Sequence, residues 1–161
     1  MRISFDLDGV LFVNPKEFET EPELPAPLNQ LYPERLREGT VQLIRTLQAQ
    51  TFEVWVYTSS YRSELYIRAL FWHYGIKFTK IINGEIHDRL VQSMRAARLP
   101  SKMPANYQIS LHIDDEDMVV ENGRVYGFRV LQIKEPDPQW TEKVLEEVNR
   151  IREIEKQFSS G

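Results

Sequence analysis

The chain has 161 residues, 42% of them hydrophobic and 27% charged, with a formal net charge of -4 and no cysteine. This length and composition favour one globular domain with a substantial hydrophobic core. The negative charge argues against a broad surface for nucleic acid or anionic membrane, and the lack of cysteine excludes disulfides and cysteine-based zinc sites.

The first predicted element is a short buried strand over residues 2–8, which ends in Asp6, Asp8 and Gly9. The two aspartates end the apolar run far short of a signal-peptide core. No stretch of the sequence approaches the roughly 20 apolar residues of a membrane span. We therefore expect a cytoplasmic protein without a membrane partner.

Residues 13–37 are rich in proline and glutamate. Proline removes backbone donors and fixes φ, so this segment is predicted to be an irregular surface excursion. The next predicted elements are a helix at 41–47, a strand at 53–57, a helix at 64–74, a short strand at 80–82 and a weak helix at 86–97. In the helix at 64–74, we expect the core to be contacted by Leu65, Ala69, Leu70 and either Trp72 or His73.

The C-terminal third begins with a predicted strand at 109–113. Asn122-Gly123 between apolar residues is typical of a β-hairpin turn. A strand at 128–133 and a long amphipathic helix at 139–158 follow. Strands separated by helices predict an α/β domain with a mainly parallel sheet, plus a small β-hairpin.

Polar residues follow three of the predicted strands: Asp6 and Asp8, then Thr58 and Ser59, then Asp114 and Asp115. Each pair taken alone is typical of a turn, a helix cap or a solvated acidic loop. Ligands of parallel sheets, however, bind beyond the carboxyl ends of the strands, so the recurrence after apolar strands favours one shared site.

Such a site has a definite chemistry. Converging carboxylates repel one another unless a cation lies among them, and oxygen ligands with open positions suit Mg²⁺. The Thr58 hydroxyl and the Ser59 amide suit a phosphate. An aspartate can attack phosphorus while a second carboxyl group moves the proton, and Gly9 allows the chain to turn tightly beside both.

The sequence resembles the haloacid-dehalogenase-like (HAD) superfamily of phosphatases in three stretches: FDLDGVLF at 5–12, VWVYTSS at 54–60 and ISLHIDDED at 109–117. The resemblance implies a Rossmann-like three-layer domain. It also implies that Asp6 is the nucleophile and a Mg²⁺ ligand. Asp8 would be the general acid and base, with its backbone carbonyl on the metal. An acid at position 8 favours hydrolysis of phosphate esters over dehalogenation.

The resemblance further implies that Thr58 binds the transferring phosphoryl group. Asp115 is the favoured direct Mg²⁺ ligand and Asp114 an orienting group, although the two roles can be exchanged. For the lysine of such sites, Lys102 is our choice, with Lys77 and Lys80 as alternatives.

Two further residues lie in or next to these stretches. Arg62 is interpreted as a surface helix residue, with contact to the phosphate as the alternative. His112 alternates with Leu111 and Ile113, so it is predicted to face the other side of the sheet as a packed or hydrogen-bonded histidine.

Members of the family often carry a cap domain. Residues 13–37 and 76–102 are too short for a sizeable cap, so residues 1–161 are predicted to form one domain with an open site. The segment 13–37 is then a candidate lid that helps to choose substrate. The phosphorylated substrate is expected to be a small molecule or the end of a macromolecule. The sequence contains no strong sign of nucleic-acid binding.

Two other functions compete with a phosphatase. One is a non-catalytic domain of the same fold that binds a phosphorylated ligand. The other is a receiver domain that accepts phosphate on an aspartate, which the Asp6–Asp8 spacing fits poorly.

Overall fold

The computed structural model describes residues 1–90 and 102–161. Its five strands form one sheet in the order β3-β2-β1-β4-β5. The strands are β1 (Arg2–Phe5), β2 (Glu53–Tyr57), β3 (Lys80–Ile82), β4 (Leu111–Asp114) and β5 (Val130–Gln132). Every neighbouring pair is parallel, so the carboxyl ends of all these strands lie at one edge of the sheet.

Helices follow the strands along the chain. They are α1 (Leu28–Leu31), α2 (Thr40–Ala49), α3 (Glu64–His73), α4 (Gly84–Leu90), α5 (Asp117–Tyr126) and α6 (Trp140–Ser159), with a 3-10 helix at Pro104–Tyr107. Of the weak helix predicted at 86–97, residues 91–97 lie outside the described residues. In the part of the chain that is described, no helix is long and apolar enough to cross a membrane.

Alternation along the strands separates the two faces of the sheet. On one face, Phe5 and Val56 pack into the main core with apolar residues of α2, α3 and α6. On the other face, Tyr57 packs with Ile82 and Ile109. The predicted α/β, Rossmann-like architecture with a mainly parallel sheet is therefore confirmed.

The predicted β-hairpin is wrong, because residues 119–125 lie inside α5. Val119 and Gly123, four residues apart, form the buried side of this helix. A Cβ on Gly123 would lie 2.7 Å from the carbonyl oxygen of Phe128, so the glycine permits close packing against the chain that leads into β5. The helix ends at Gly127, whose φ is +76°.

The predicted inward face of α3 is wrong in part, since Leu70 is buried as expected but Leu65 and Trp72 are not. Leu65 and Trp72 are 79% and 71% exposed, whereas Ile67, Leu70 and Phe71 are buried. The latter three have the i, i+3, i+4 spacing of a single apolar stripe, and this stripe determines how the helix is rotated against the sheet.

Residues 13–37 contain only the short helix α1 as regular structure. The segment is nevertheless held in place by backbone bridges and by a buried side chain. Isolated antiparallel bridges join Phe12 to Leu36 and Thr20 to Arg37, and Leu24 is buried. Its irregular character matches the prediction, and its role as a lid stays a prediction.

Candidate active site

Strand register brings Asp6 and Asp114 together. Phe5 of β1 lies opposite Ile113 of β4, and the amide of Asp6 donates a hydrogen bond to the Ile113 carbonyl at 3.0 Å. Asp6 and Asp114 are therefore neighbours at the carboxyl edge of the sheet. Both side chains are almost fully buried.

Lys102 lies between these two carboxylates. Its Nζ is 2.5 Å from Asp114 Oδ2 and 3.1 Å from Asp6 Oδ2, and the side chain is only 1% exposed. Of the alternative lysines, Lys80 lies instead over the rings of Trp55 and Tyr107. Lys77 is exposed on the surface. The predicted lysine is thus the one beside Asp6, and its catalytic role stays a prediction.

The pKa values of the two buried carboxyl groups are shifted in opposite directions. Burial raises the pKa of Asp6 to about 7, although the nearby Lys102 opposes this shift. Burial also acts to raise the pKa of Asp114, but the hydrogen bond from His112 and the charge of Lys102 outweigh it and hold that pKa below its usual range. Burial therefore favours the neutral form of Asp6, whereas hydrogen bonding and the charge of Lys102 favour the ionised form of Asp114.

A group of carboxylates surrounds this pair. Asp6, Asp114, Asp115 and Glu116 each offer an oxygen, and these oxygens all lie within 4.8 Å of one another. Asp115 Oδ1 is buried without a hydrogen-bond partner, and burial raises the pKa of its carboxyl group. An all-oxygen donor set with an unpaired buried oxygen fits a hard cation such as Mg²⁺.

Sequence reasoning missed Glu116 as a member of this group. Its position directly after Asp114-Asp115 was the available signal, but an acidic run is equally typical of a solvated loop. The side chain of Asp8 lies outside the carboxylate group. This arrangement is compatible with the prediction that Asp8 offers its backbone carbonyl to the metal.

Gly9 makes room for Asp115. Its φ is +83°, and a Cβ built on it would lie 2.2 Å from Asp115 Oδ2. Only glycine suits both the left-handed conformation and this close approach. The turn after β1 is therefore shaped around a carboxylate of the candidate metal site.

Thr58 lies at the same edge, because it directly follows β2, the neighbour of β1. It is buried, and its Oγ1 accepts a hydrogen bond from the Ser60 amide at 3.1 Å, so its hydroxyl proton can be donated to an anion. Ser59 is exposed. The cap of α3 is Ser63, whose side chain accepts from the Tyr66 amide, so Thr58 and Ser59 are not that cap.

Arg62 lies at the mouth of the site rather than on a remote surface. Its Nη1 and Nη2 donate to Asp8 Oδ2 and Oδ1 at 2.8 and 3.1 Å. The sequence interpretation as a surface helix residue is wrong, since Arg62 precedes α3 and pairs with a candidate site residue. Contact with a phosphate stays a prediction.

Comparison with known proteins finds similarity in three-dimensional structure alone. No protein-family model matches the chain, and no curated protein matches it. Solved structures of HAD-like proteins align over most of its length. The chain has a HAD-like fold.

Three of these structures illustrate the likeness. A chain of the Pnkp1/Rnl/Hen1 RNA repair complex has 16% identity and a TM-score of 0.54, over 84% of this chain and 43% of that one. D,D-heptose 1.7-bisphosphate phosphatase from B. bronchiseptica, in complex with magnesium and phosphate, has 16% identity and a TM-score of 0.50, over 91% and 98%. The HAD domain of effector protein Lem4 from Legionella pneumophila has 16% identity and a TM-score of 0.51, over 91% and 92%.

The present chain therefore spans less than half the length of the RNA repair chain, but nearly all of the phosphatase and of the Lem4 domain. Identities at this level support the HAD-like fold only.

Within this HAD-like fold, the prediction for His112 is confirmed: it is a buried, hydrogen-bonded histidine that alternates with the core residues Leu111 and Ile113. The structure adds that this side of the strand also carries Asp114. Asp114 is the last residue of β4, so the alternation of the strand places His112 and Asp114 on the same face. His112 Nε2 lies 2.7 Å from Asp114 Oδ2, and its Nδ1 lies 2.7 Å from Ser4 Oγ. Burial lowers the pKa of His112. We assign a neutral ring that donates to the ionised Asp114 and accepts from the Ser4 hydroxyl.

Tyr57 holds the backbone next to the candidate lysine. Its hydroxyl accepts a hydrogen bond from the Met103 amide at 2.8 Å and lies 2.6 Å from His87 Nδ1. Both Tyr57 and His87 are buried. No local sequence signal pointed to this pair, because the partners come from β2, α4 and the chain before the 3-10 helix.

Proposed function

We propose that the protein is a Mg²⁺-dependent phosphatase that hydrolyses phosphate monoesters through an aspartyl-phosphate on Asp6. The observation that carries the proposal is the buried Asp6–Lys102–Asp114 arrangement, with Asp8 and Thr58 at the same strand edge. The likeness to a phosphatase solved with magnesium and phosphate supports it.

In the proposed reaction, an oxygen of Asp6 forms a bond to phosphorus while the bond from phosphorus to the ester oxygen breaks. Asp8 gives a proton to the leaving oxygen. Asp8 then takes a proton from water, whose oxygen bonds to phosphorus as the bond to Asp6 breaks, releasing inorganic phosphate.

The other residues stabilise charge. Lys102 balances Asp6 and Asp114, and Thr58 donates its hydroxyl to a phosphoryl oxygen, with the Ser59 amide as a further donor. Asp6, Asp114, Asp115 and the Asp8 carbonyl would hold Mg²⁺, whose charge favours the ionised form of Asp6 and attracts the phosphate.

We place the whole proposed activity in one domain without a sizeable cap. The segment 13–37 would act as the lid, because the Phe12–Leu36 bridge and the hydrogen bond from the Arg37 amide to the Leu11 carbonyl hold it beside the turn that follows β1. Removing residues from its middle should then change the relative KM values for large and small esters.

Turnover of phosphoesters tests the proposal. The full chain should hydrolyse p-nitrophenyl phosphate with Mg²⁺, and EDTA or Asp6→Asn should abolish this activity. A matched control is Asp137→Asn, a change of the same kind at a residue that pairs with Lys143. A folded chain that hydrolyses no member of a broad phosphoester panel with Mg²⁺ contradicts the proposal. Mg²⁺-dependent binding of a phosphorylated ligand without turnover would favour the non-catalytic alternative.

A further inference from the structure

Arg62 is held in place by contacts on several sides. Its Nε donates to Glu34 Oε1 at 3.2 Å, and its Nη1 donates to Ser60 Oγ at 3.0 Å. Its guanidinium lies over the ring of Phe12, 5.3 Å from the centroid. Glu34 is itself held by the hydroxyl of Tyr66 at 2.7 Å. The guanidinium is therefore anchored, and its two terminal nitrogens are aimed at Asp8.

The side chains of Arg62 and Asp8 differ in their exposure to solvent. The side chain of Arg62 is 27% exposed, whereas that of Asp8 is 60% exposed. Asp8 is thus the partner that can turn away without losing packing. An arginine fork binds planar or tetrahedral anions through paired hydrogen bonds, so the group best suited to replace Asp8 on Arg62 is another anion.

The position of Asp8 indicates where that anion would lie. This step rests on the proposed function, in which Asp8 gives its proton to the leaving oxygen. Since both oxygens of Asp8 accept from Arg62, the arginine lies on the leaving-group side of the phosphorus. Lys102 Nζ and Thr58 lie beside the strand ends, where the proposed function puts the transferring phosphoryl group.

We propose that Arg62 is a specificity-determining residue that binds an anionic group on the leaving-group part of the substrate. Binding of that group to the anchored Arg62 displaces Asp8, and Asp8 then turns to the ester oxygen. The substrate class is a phosphate monoester that carries a second negative charge, a carboxylate or another phosphate, beyond the ester oxygen. Glu34, from the segment 13–37, is the positioning residue for Arg62.

A matched pair of esters tests this inference. The substrates are 3-carboxyphenyl phosphate and 3-carbamoylphenyl phosphate, together with their 4-substituted isomers. The two groups have nearly the same shape and differ by one charge. The wild-type chain should prefer a carboxylate ester by roughly tenfold in kcat/KM, as expected for a charge-assisted pair.

The variants are Arg62→Gln, Arg62→Lys and Glu34→Gln. Arg62→Gln should abolish the preference, while Arg62→Lys should retain part of it because the charge stays and the fork is lost. Glu34→Gln should weaken the preference, because Glu34 helps to hold the Arg62 guanidinium in place. Arg68→Gln is the matched control, since Arg68 pairs with Glu64 and the Phe78 carbonyl instead.

Equal kcat/KM values for both esters in the wild-type chain, or a preference that survives in Arg62→Gln, would overturn the inference while leaving the phosphatase intact. If the wild-type chain hydrolyses none of these esters, the broad phosphoester panel decides the proposed function. Calorimetric titration of both esters with Mg²⁺ then decides the inference. Tighter binding of the carboxylate ester that Arg62→Gln removes supports it, and equal binding contradicts it.

Discussion

The imidazole of His112 lies 2.7 Å from the carboxylate of Asp114, and both side chains are fully buried. Lys102 approaches the same oxygen of Asp114 from another direction. Asp114 is therefore oriented by two buried partners, and it can present its other oxygen, Oδ1, to the Glu116 amide at 3.0 Å. The orientation of this carboxylate is set by the folded protein itself.

We expect His112→Gln to weaken activation by Mg²⁺. Partners that orient a metal ligand typically contribute about 10- to 100-fold to metal affinity or activity. The Mg²⁺ concentration that gives half-maximal turnover should rise by a factor in that range, because Asp114 is less well oriented. His73→Gln is the control, since His73 lies on α3 and packs against Tyr32. An unchanged Mg²⁺ requirement in His112→Gln would count against a positioning role.

Replacement of the buried lysine tests the charge balance of the site. Lys102→Met leaves Asp6 and Asp114 buried without their cation, so the free energy of unfolding without metal should fall by about 3 to 5 kcal/mol. Urea unfolding in EDTA measures this loss. Lys134→Met, at an exposed pair with Asp117, should change little. Equal stability of the two variants would mean that Lys102 does not balance the buried carboxylates.

Two glycines offer a controlled comparison of backbone strain and crowding. Gly9 and Gly127 have φ values of +83° and +76°, but only Gly9 has Asp115 where a Cβ would lie. Gly127→Ala should cost about 1 to 2 kcal/mol of unfolding free energy through its backbone alone. Gly9→Ala should cost more and should also raise the Mg²⁺ requirement, because Asp115 is displaced. Identical effects of both changes would contradict this explanation.

The pKa of Asp6 predicts how stability depends on pH without metal. Burial raises this pKa from 3.8 to about 7, so the folded state holds a proton that the unfolded state has lost. This stabilising contribution is complete below pH 4 and is lost as the pH rises through about 7.

Between pH 5 and pH 8 in EDTA, the wild-type chain should therefore lose roughly 2 to 3 kcal/mol of unfolding free energy relative to Asp6→Asn. Urea unfolding of both proteins at the two pH values measures this difference. A difference that does not depend on pH would show that Asp6 does not titrate in this range.

Local sequence was sufficient to predict the main outline of the fold and of the candidate site. Apolar runs identified the strands, and the residues after three of them identified Asp6, Thr58 and Asp114 as site candidates, since a strand and the residue that follows it are neighbours in the chain. Local sequence failed at residues 119–125. There Asn122-Gly123 is typical of a turn, but the packing of Gly123 against Phe128 and Val130 favours the helix.

The sequence by itself determined the order of the elements and the chemical types of the residues at the strand ends. The tertiary structure decided which side chains meet: Ser4 with His112 across 108 positions, Asp8 with Arg62 across 54, and Tyr57 with the Met103 amide beside Lys102 across 46. These partners are far apart in the chain, so no local pattern specifies them. Parallel pairing of β1 with β2 and β4 brings these partners together at or near the carboxyl edge of the sheet, and this pairing depends on the packing of the whole sheet.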